Sequence, residues 1–155
     1  VYLFGGGHVA QELVPVLAHV GFAPVVYEDR PDFAKKELFP EASHTIVGSF
    51  SNITDHVSIT PDDSIVIMTR GHQADFEVLR QALLTRASYV GVIGSRSKIA
   101  STNQRLLAAG IPENELKRIH APIGLPILAE TPAEIAISIA AELILHRAQQ
   151  TGETA

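Results

Sequence analysis

The sequence predicts an α/β fold in which a doubly wound parallel sheet lies between two layers of helices. Short runs of apolar, mostly β-branched residues alternate with segments of helical periodicity, which is typical of a parallel sheet covered on both faces. The first apolar run, residues 1–4, leads directly into three glycines, and a helical pattern begins at His8. A strand, a tight glycine turn and a helix in this order indicate a Rossmann-like domain.

Length and composition agree with this fold. The 155 residues suit one nucleotide- or cofactor-binding domain, which we place at residues 1–149, followed by a frayed polar tail at 150–155. Apolar residues make up 46% and charged residues 19%, a balance typical of a globular protein. A net charge of −5 gives no reason to expect nucleic acid or an anionic membrane as a partner, and no apolar run is long enough to span a bilayer.

The chain contains no cysteine, which excludes disulfides, thiolate metal sites and cysteine nucleophiles and is compatible with a cytoplasmic location. We expect no metal site, because the histidines away from the predicted strand ends have no recognisable ligand spacing: His19, His44, His56, His120 and His146. The sequence begins inside the first predicted strand without an initiator methionine, so we expect it to be a piece of a longer protein.

Local signals place each element. Leu13 and Leu17 share one face of the first helix, and Gly21 is a natural stop for it. Thr131 as N-cap and Glu134 three residues later form a capping box, the clearest helix start in the chain. In chain order the predicted elements are a strand at 1–4, a helix at 8–20, a strand at 24–29, a helical turn at 32–38, strands at 44–47 and 64–68, a helix at 75–86, a strand at 89–93, a helix at 95–110, a helical turn within 112–119 and a helix at 132–149.

The glycine loop is the first candidate binding feature. Gly5, Gly7 and Ala10 fit the G-x-G-x-x-G/A fingerprint, in which the first glycine makes the turn and the second lets the backbone approach a pyrophosphate. Free N–H groups and the dipole at the start of the next helix favour an anion there. His8 follows the glycines, where its side chain can face the same ligand. A purely structural turn is the alternative explanation.

The residues that follow the second strand join this site, because ligands of open α/β sheets bind at the carboxyl ends of the strands. Asp29 stands where a carboxylate holds ribose hydroxyls, and Arg30 is a candidate for stacking on a base or for binding a 2′-phosphate. A structural turn before Pro31 is the alternative explanation for both residues.

Two further strand ends carry polar residues. Thr69, Arg70 and His72 bring a hydroxyl, a cation and a titratable imidazole together after the fourth strand. After the fifth strand stand Gly94, Ser95 and Arg96, which suit either a phosphate or the start of a helix. A helix cap is the alternative at both ends. We assign no catalytic residue.

A specific family resemblance rests on segments that run in this order: Gly5-Gly6-Gly7-His8-Val9-Ala10, Glu28-Asp29-Arg30-Pro31-Asp32-Phe33 with Phe39-Pro40, Thr69-Arg70-Gly71-His72 with Asp75, Tyr89-Val90-Gly91-Val92-Ile93-Gly94-Ser95-Arg96-Ser97-Lys98, and Ile123-Gly124-Leu125-Pro126-Ile127 with Ala129-Glu130-Thr131-Pro132 and Glu134-Ile135-Ala136. Together they resemble the C-terminal Rossmann domain of the XdhC/CoxI family. The resemblance implies an accessory factor for molybdenum hydroxylases such as xanthine dehydrogenase. Such a factor binds the molybdenum cofactor (molybdopterin), protects it, assists its sulfuration and hands it to the apo-enzyme, with a cysteine desulfurase as a further partner.

The resemblance also implies which residues hold the cofactor: Gly5, Gly7, His8, Ala10, Asp29, Arg30, Thr69, Arg70, His72, Gly94, Ser95 and Arg96. Family members commonly carry a separate N-terminal domain with a cysteine that is associated with cofactor handling, and this sequence contains neither. Alanine often replaces the second loop glycine in the family, and Leu128 stands where glycine is frequent. We expect neither difference to abolish binding, since Gly6 is the variable position of the fingerprint.

Three functions remain open on sequence. The first is a cofactor-binding maturation factor without turnover, whose ligand is molybdopterin or a dinucleotide such as NAD(P). The second is an NAD(P)-dependent oxidoreductase with His72 or His8 as proton donor. The third is a regulatory nucleotide sensor. The last helix carries an apolar stripe that suits core packing, with a homodimer contact as the alternative: Ile135, Ile139, Leu143 and Ile144.

Overall fold

The computed structural model describes residues 1–152 and confirms the α/β prediction. Its strands are β1 (Tyr2–Phe4), β2 (Val25–Glu28), β3 (His44–Val47), β4 (Ser64–Ile67), β5 (Tyr89–Val92) and β6 (Ile119–His120). They form one parallel sheet in the order β3-β2-β1-β4-β5-β6. This is the strand order of the dinucleotide-binding Rossmann fold, in which the order reverses between β1 and β4.

Helices cover both faces of the sheet. They are α1 (His8–His19), α2 (His72–Ala82), α3 (Arg96–Ala108), α4 (Glu113–Leu116) and α5 (Pro132–Gln150), with 3₁₀ turns at Pro31–Phe33, Lys36–Leu38 and Ile53–Asp55. α1 and α5 pack together on one face, and α2 and α3 lie on the other. Within the described residues, no helix combines the length and the apolar character needed to cross a membrane.

Side-chain alternation along the strands supplies a core on each face of the sheet. Leu3 packs with the buried residues of α1 and α5, whereas the next residue, Phe4, packs with those of α2. β4 and β5 are buried throughout, as expected for the inner strands of a parallel sheet that is covered on both faces.

The start of α5 is formed as the sequence predicts. Thr131 Oγ1 accepts a hydrogen bond from the N–H of Glu134 at 3.1 Å, and the Glu134 carboxylate accepts from the N–H of Thr131 at 3.1 Å. The helix extends to Gln150, a residue predicted to lie in the tail, and residues 151–152 form a turn. The rest of the predicted tail, residues 153–155, lies outside the described part of the chain.

The helical turn predicted within residues 112–119 is confirmed as α4, whereas the strand that follows it was not predicted. α4 forms there, but Ile119 then starts β6 and pairs with Val90 on the edge of β5. A strand of two residues carries no periodic signal, and its hydrogen bonds depend on an edge that comes from elsewhere in the chain. α2 also begins at His72, three residues before its predicted start at Asp75.

The apolar stripe of α5 belongs mainly to the core. Ile139 and Leu143 are buried and Ile135 is partly buried, whereas Ile144 is exposed. Core packing is therefore confirmed for most of the stripe, and a homodimer contact stays a prediction.

Two histidines that are distant in sequence meet beside β6. The His120 ring stacks on Tyr89 with 4.4 Å between centroids, and His146 approaches the same ring edge-on at 5.3 Å. The Tyr89 hydroxyl donates to Glu142, whose Oε1 lies 3.5 Å from Nδ1 of His120. Burial, together with the neighbouring His120, lowers the pKa of His146. Within residues 1–152, no group of three or more His, Cys, Asp or Glu side chains is arranged to hold a metal ion.

The lowered pKa of His146 predicts a pH-dependent stability. The unfolded chain binds a proton on this imidazole at a higher pH than the folded chain does, so the free energy of unfolding falls as the pH drops below about 6.5. In His146→Gln, the difference in stability between pH 7.5 and pH 5.5 should be smaller than in the native protein. Urea unfolding at the two pH values measures it. Gln149→Ala, an exposed site on the same helix without a titratable side chain, should leave the difference unchanged, and an equal effect of both variants would contradict the prediction.

Candidate functional site

The glycine loop lies at the carboxyl edge of the sheet, where the strand order reverses. Gly5 has a φ of +122°, and a Cβ there would lie 2.2 Å from the carbonyl oxygen of Met68. Both the backbone conformation and the close approach to the end of β4 therefore require glycine. Gly7 is the N-cap of α1, and a Cβ on it would meet no atom within 4 Å. Ala10 is buried against the sheet, where a small side chain lets α1 pack closely.

The first turn of α1 offers free hydrogen-bond donors. Among the described residues, no acceptor is found for the N–H groups of His8, Val9 and Ala10, and the turn contains no acidic side chain. The His8 side chain is exposed. Unpaired N–H groups at the positive end of the helix dipole attract an anion.

The structure leaves no space for a side chain at Gly6, the position that the fingerprint leaves variable. A Cβ on Gly6 would lie 2.0 Å from the carbonyl oxygen of Phe33, because the turn at Pro31–Phe33 folds over the loop. The fingerprint describes the loop alone and contains no information about this second segment.

Glu28, which was not among the predicted site residues, is the buried carboxylate of this edge, with 1% of its surface exposed. Its Oε1 accepts from the N–H of Gly6 at 3.2 Å and from the Arg30 guanidinium at 2.9 Å. Its Oε2 accepts from the N–H groups of Asp29 at 2.7 Å and Arg30 at 3.1 Å. Burial raises the pKa of this carboxyl, but the hydrogen bonds outweigh it and lower the pKa of Glu28 to about 2.

Asp29 and Arg30 have different surroundings although they are neighbours. Asp29 Oδ2 lies 3.7 Å from the guanidinium of Arg70, and a hydrogen bond to Glu28, together with burial, raises the pKa of Asp29. The Arg30 guanidinium is directed inward, where it pairs with Glu28 and stacks 3.7 Å over the ring of Phe33. Arg70, with 56% of its side chain exposed, is the more accessible arginine of the two.

The loop after β4 is held by an acid that lies in the first turns of α2. The N–H and the hydroxyl of Thr69 both donate to Oδ1 of Asp75, at 2.9 and 2.6 Å. Burial raises the pKa of Asp75, while these hydrogen bonds act in the opposite direction. His72 is the exposed first residue of α2, and no side-chain hydrogen bond orients its imidazole within the described residues.

At the end of β5, Ser95 is the N-cap of α3 and accepts from the N–H of Lys98 at 3.4 Å, as the helix-cap alternative predicts. Gly94 has a φ of +148°. Arg96 is exposed at the first position of α3, and it is Lys98 that lines the cleft beside Gly94.

The structure brings most of the predicted residues to one edge. The cleft between the starts of α2 and α3 is lined by Thr69, Arg70, Gly71, His72, Asp75, Ile93, Gly94 and Lys98. The Asp29–Arg70 contact connects this cleft to the end of β2. Glu28, Asp75 and Lys98 were missed as site residues, although Glu28 precedes Asp29 directly and the other two fall within the segments that carry the resemblance. The buried or paired acids, the exposed cations and the free N–H groups make this edge suitable for an anionic ligand.

Comparison with known proteins gives a consistent result. The family model described as the XdhC Rossmann domain matches residues 1–143. The chain is 33% identical over 143 residues to the uncharacterized protein YqeB of Escherichia coli K12, and 32% identical over 145 residues to a probable xanthine dehydrogenase subunit of Bacillus subtilis 168. A solved structure of a xanthine dehydrogenase from Bacillus halodurans is similar with a TM-score of 0.83 at 36% identity.

These similarities involve nearly all of this chain and a minor part of each relative. The two sequence alignments cover 92% and 94% of this chain, but 26% of the Escherichia coli protein and 42% of the Bacillus subtilis protein. The structural alignment covers 96% of this chain and 42% of the other. The chain therefore spans less than half the length of the relatives that it matches.

The contrast between two loop glycines is testable. Gly6→Ala should lower the free energy of unfolding by about 1–3 kcal/mol, because the added methyl group overlaps the Phe33 carbonyl oxygen. Gly7→Ala meets open space at a φ of −79° and should change the stability by less than about 0.5 kcal/mol. Thermal and urea unfolding of both variants measure the difference. Equal stability of the two would mean that the turn at Pro31–Phe33 does not press on the loop.

Proposed function

The chain belongs to the XdhC Rossmann domain family, and on that premise we propose that it is an accessory domain for the maturation of a molybdenum hydroxylase such as xanthine dehydrogenase. In this role it binds the molybdenum cofactor, an anionic pterin that carries a phosphate, at the carboxyl edge of its sheet. The observation that carries the proposal is the free first turn of α1 with an exposed guanidinium nearby, in a chain of this family.

The residues at this edge suit the phosphate of the cofactor. The N–H groups of His8, Val9 and Ala10 would receive phosphate oxygens, and Arg70 would add a charge-assisted hydrogen bond. Arg70 contacts Asp29 at 3.7 Å, which is too long for a strong ion pair, so the guanidinium can turn to a ligand at little cost. Gly7 leaves the approach to the backbone open.

The same edge supports a carrier role more than a catalytic one. The cofactor supplies a molybdenum centre to the enzyme that finally receives it, and the residues of this domain hold and shield it. His72 and His8 are exposed, and no side chain orients either imidazole within the described residues. A general acid that donates a proton to a substrate carbonyl needs such positioning, so hydride transfer with one of them as proton donor is the weaker alternative.

The partner in this proposal is a molybdenum hydroxylase. It is suggested by two similar proteins, one named as a xanthine dehydrogenase and the other as a probable subunit of one. A cysteine desulfurase is a second proposed partner, which would supply the sulfur for sulfuration of the cofactor. The chain spans less than half the length of those relatives. We therefore propose both partners for this domain only.

A dinucleotide is the second candidate ligand. The strand order and the G-x-G-x-x-A loop favour it, because both are typical of domains that bind NAD(P). Calorimetric titration of the chain with isolated molybdenum cofactor under anaerobic conditions, and separately with NAD⁺ and NADP⁺, distinguishes the two ligands. If none of these binds, the proposed site is wrong.

Replacement of Arg70 tests the site directly. Arg70→Ala should weaken binding of the isolated cofactor by roughly 1.5–3 kcal/mol, or about 10- to 150-fold, the loss expected for a charge-assisted hydrogen bond. Arg86→Ala removes another exposed arginine, which precedes β5 and so lies at the opposite edge of the sheet, and should leave the affinity unchanged. Calorimetry on both variants provides the comparison, and an unchanged affinity in Arg70→Ala would remove this residue from the site.

A further inference from the structure

The last helix, α5, is apolar on two opposite sides. One side is buried against the sheet and α1, with Ile139 and Leu143 among its residues. The opposite side, which we call the outer face of α5, also contains no charged residue and consists of Ile137, Ala141, Ile144, Leu145 and Ala148. A helix on a protein surface normally has polar residues on its outer side, and a helix that is apolar all round is normally buried. The outer face therefore has the composition of a contact surface.

The large side chains of the outer face are accessible. Ile137, Ile144 and Leu145 have 51%, 38% and 47% of their surface exposed, and the two alanines are partly exposed. Exposed apolar side chains that stand singly are ordinary on protein surfaces, whereas a contiguous group of them marks an interaction site.

The spacing on the outer face suits another helix. Four of its residues follow one another at intervals of four, three and four positions: Ile137, Ala141, Ile144 and Ala148. This is the spacing of the apolar seam in a coiled coil, where each side chain inserts between residues of the facing helix. The seam is about 17 Å long at the rise of an α-helix.

Large and small residues alternate along this seam, and the alternation favours a second copy of α5 in the antiparallel direction. In that arrangement Ile137 lies opposite Ala148 of the second copy, and Ile144 lies opposite Ala141. Each layer then joins one large and one small side chain, which fills the space between the helices evenly. In a parallel pair, isoleucine would face isoleucine and alanine would face alanine, so wide and narrow layers would alternate.

The charge beside the seam favours the same direction. Glu134 stands seven residues before Ala141, on the extension of the seam, and is exposed. A parallel pair would place the two Glu134 carboxylates side by side, and like charges in contact oppose association. In an antiparallel pair they lie at opposite ends, about 25 Å apart along the helix axis.

We propose that the outer face of α5 binds the same face of a second copy of this chain, in an antiparallel homodimer with two-fold symmetry. One helix from each copy offers less area than the roughly 800 Å² per partner of a standard interface, so the dimer dissociates at micromolar concentrations. None of the five residues of the outer face lines the cleft between α2 and α3. The dimer is therefore independent of the ligand proposed for that edge.

Sedimentation velocity over micromolar to submillimolar concentrations tests the dimer. The native protein should pass from monomer to dimer, and Ile137→Glu should raise the dissociation constant by roughly tenfold or more, because a charge replaces a buried isoleucine. Leu107→Glu is the matched control, since Leu107 has 45% of its surface exposed and lies on α3, on the other face of the sheet. It should dimerise as the native protein does.

Cysteine cross-linking tests the antiparallel arrangement with milder substitutions. The chain contains no cysteine, so introduced cysteines report the contact alone. Ile137→Cys mixed with Ala148→Cys should form a disulfide-linked dimer, because a disulfide requires α carbons within about 7 Å. Ile137→Cys alone should not, since its two copies lie about 17 Å apart. Leu107→Cys mixed with Ala148→Cys is the control and should stay unlinked.

Three results would overturn the proposal. The first is a native protein that stays monomeric at every concentration, which would mean that a different protein segment covers the outer face. The second is Ile137→Glu that associates as strongly as the native protein. The third is efficient cross-linking of Ile137→Cys with itself, which would show a parallel pair.

Discussion

The carboxylate of Glu28 joins three segments that meet at the carboxyl edge of the sheet: the glycine loop after β1, the end of β2 and the turn at Pro31–Phe33. A buried charge is tolerated only when it is paired and fully hydrogen-bonded. Here the donors come from Gly6, Asp29 and Arg30. The loop therefore owes its shape to a buried ion pair as much as to the conformational freedom of its glycines.

This internal pairing sets the electrostatics of the crevice. The chain has a net charge of −5, yet Glu28 at this edge is buried and paired, and the exposed charges there include the guanidinium groups of Arg70 and Arg96 and the ammonium of Lys98. The parallel topology also directs the N-termini of α1, α2 and α3 to the same edge. This edge of an acidic protein is therefore electrostatically suited to an anion, which the net charge alone does not predict.

Two clefts open at this edge of the sheet. One, of about 390 Å³, lies beside the end of β2 and is lined by Asp29, Phe50 and Arg70 among others. The other, of about 330 Å³, lies beyond the end of β5, and Ser138 bonds to the segment that forms its wall. The turn at Pro31–Phe33, with Arg30 stacked on Phe33, lies over the glycine loop at Gly6.

The sequence by itself determined the features that depend on neighbours along the chain. Apolar periodicity placed nearly all strands and helices, the glycine run located the loop after β1, and the capping box placed the start of α5. Only the tertiary structure decided which of two adjacent carboxylates, Glu28 or Asp29, bonds to the glycine loop, because the N–H of Gly6 comes from the end of another strand. It likewise decided the pairing of β6 and the meeting of His120 with His146. These contacts join residues that are distant in sequence and form only when the sheet assembles.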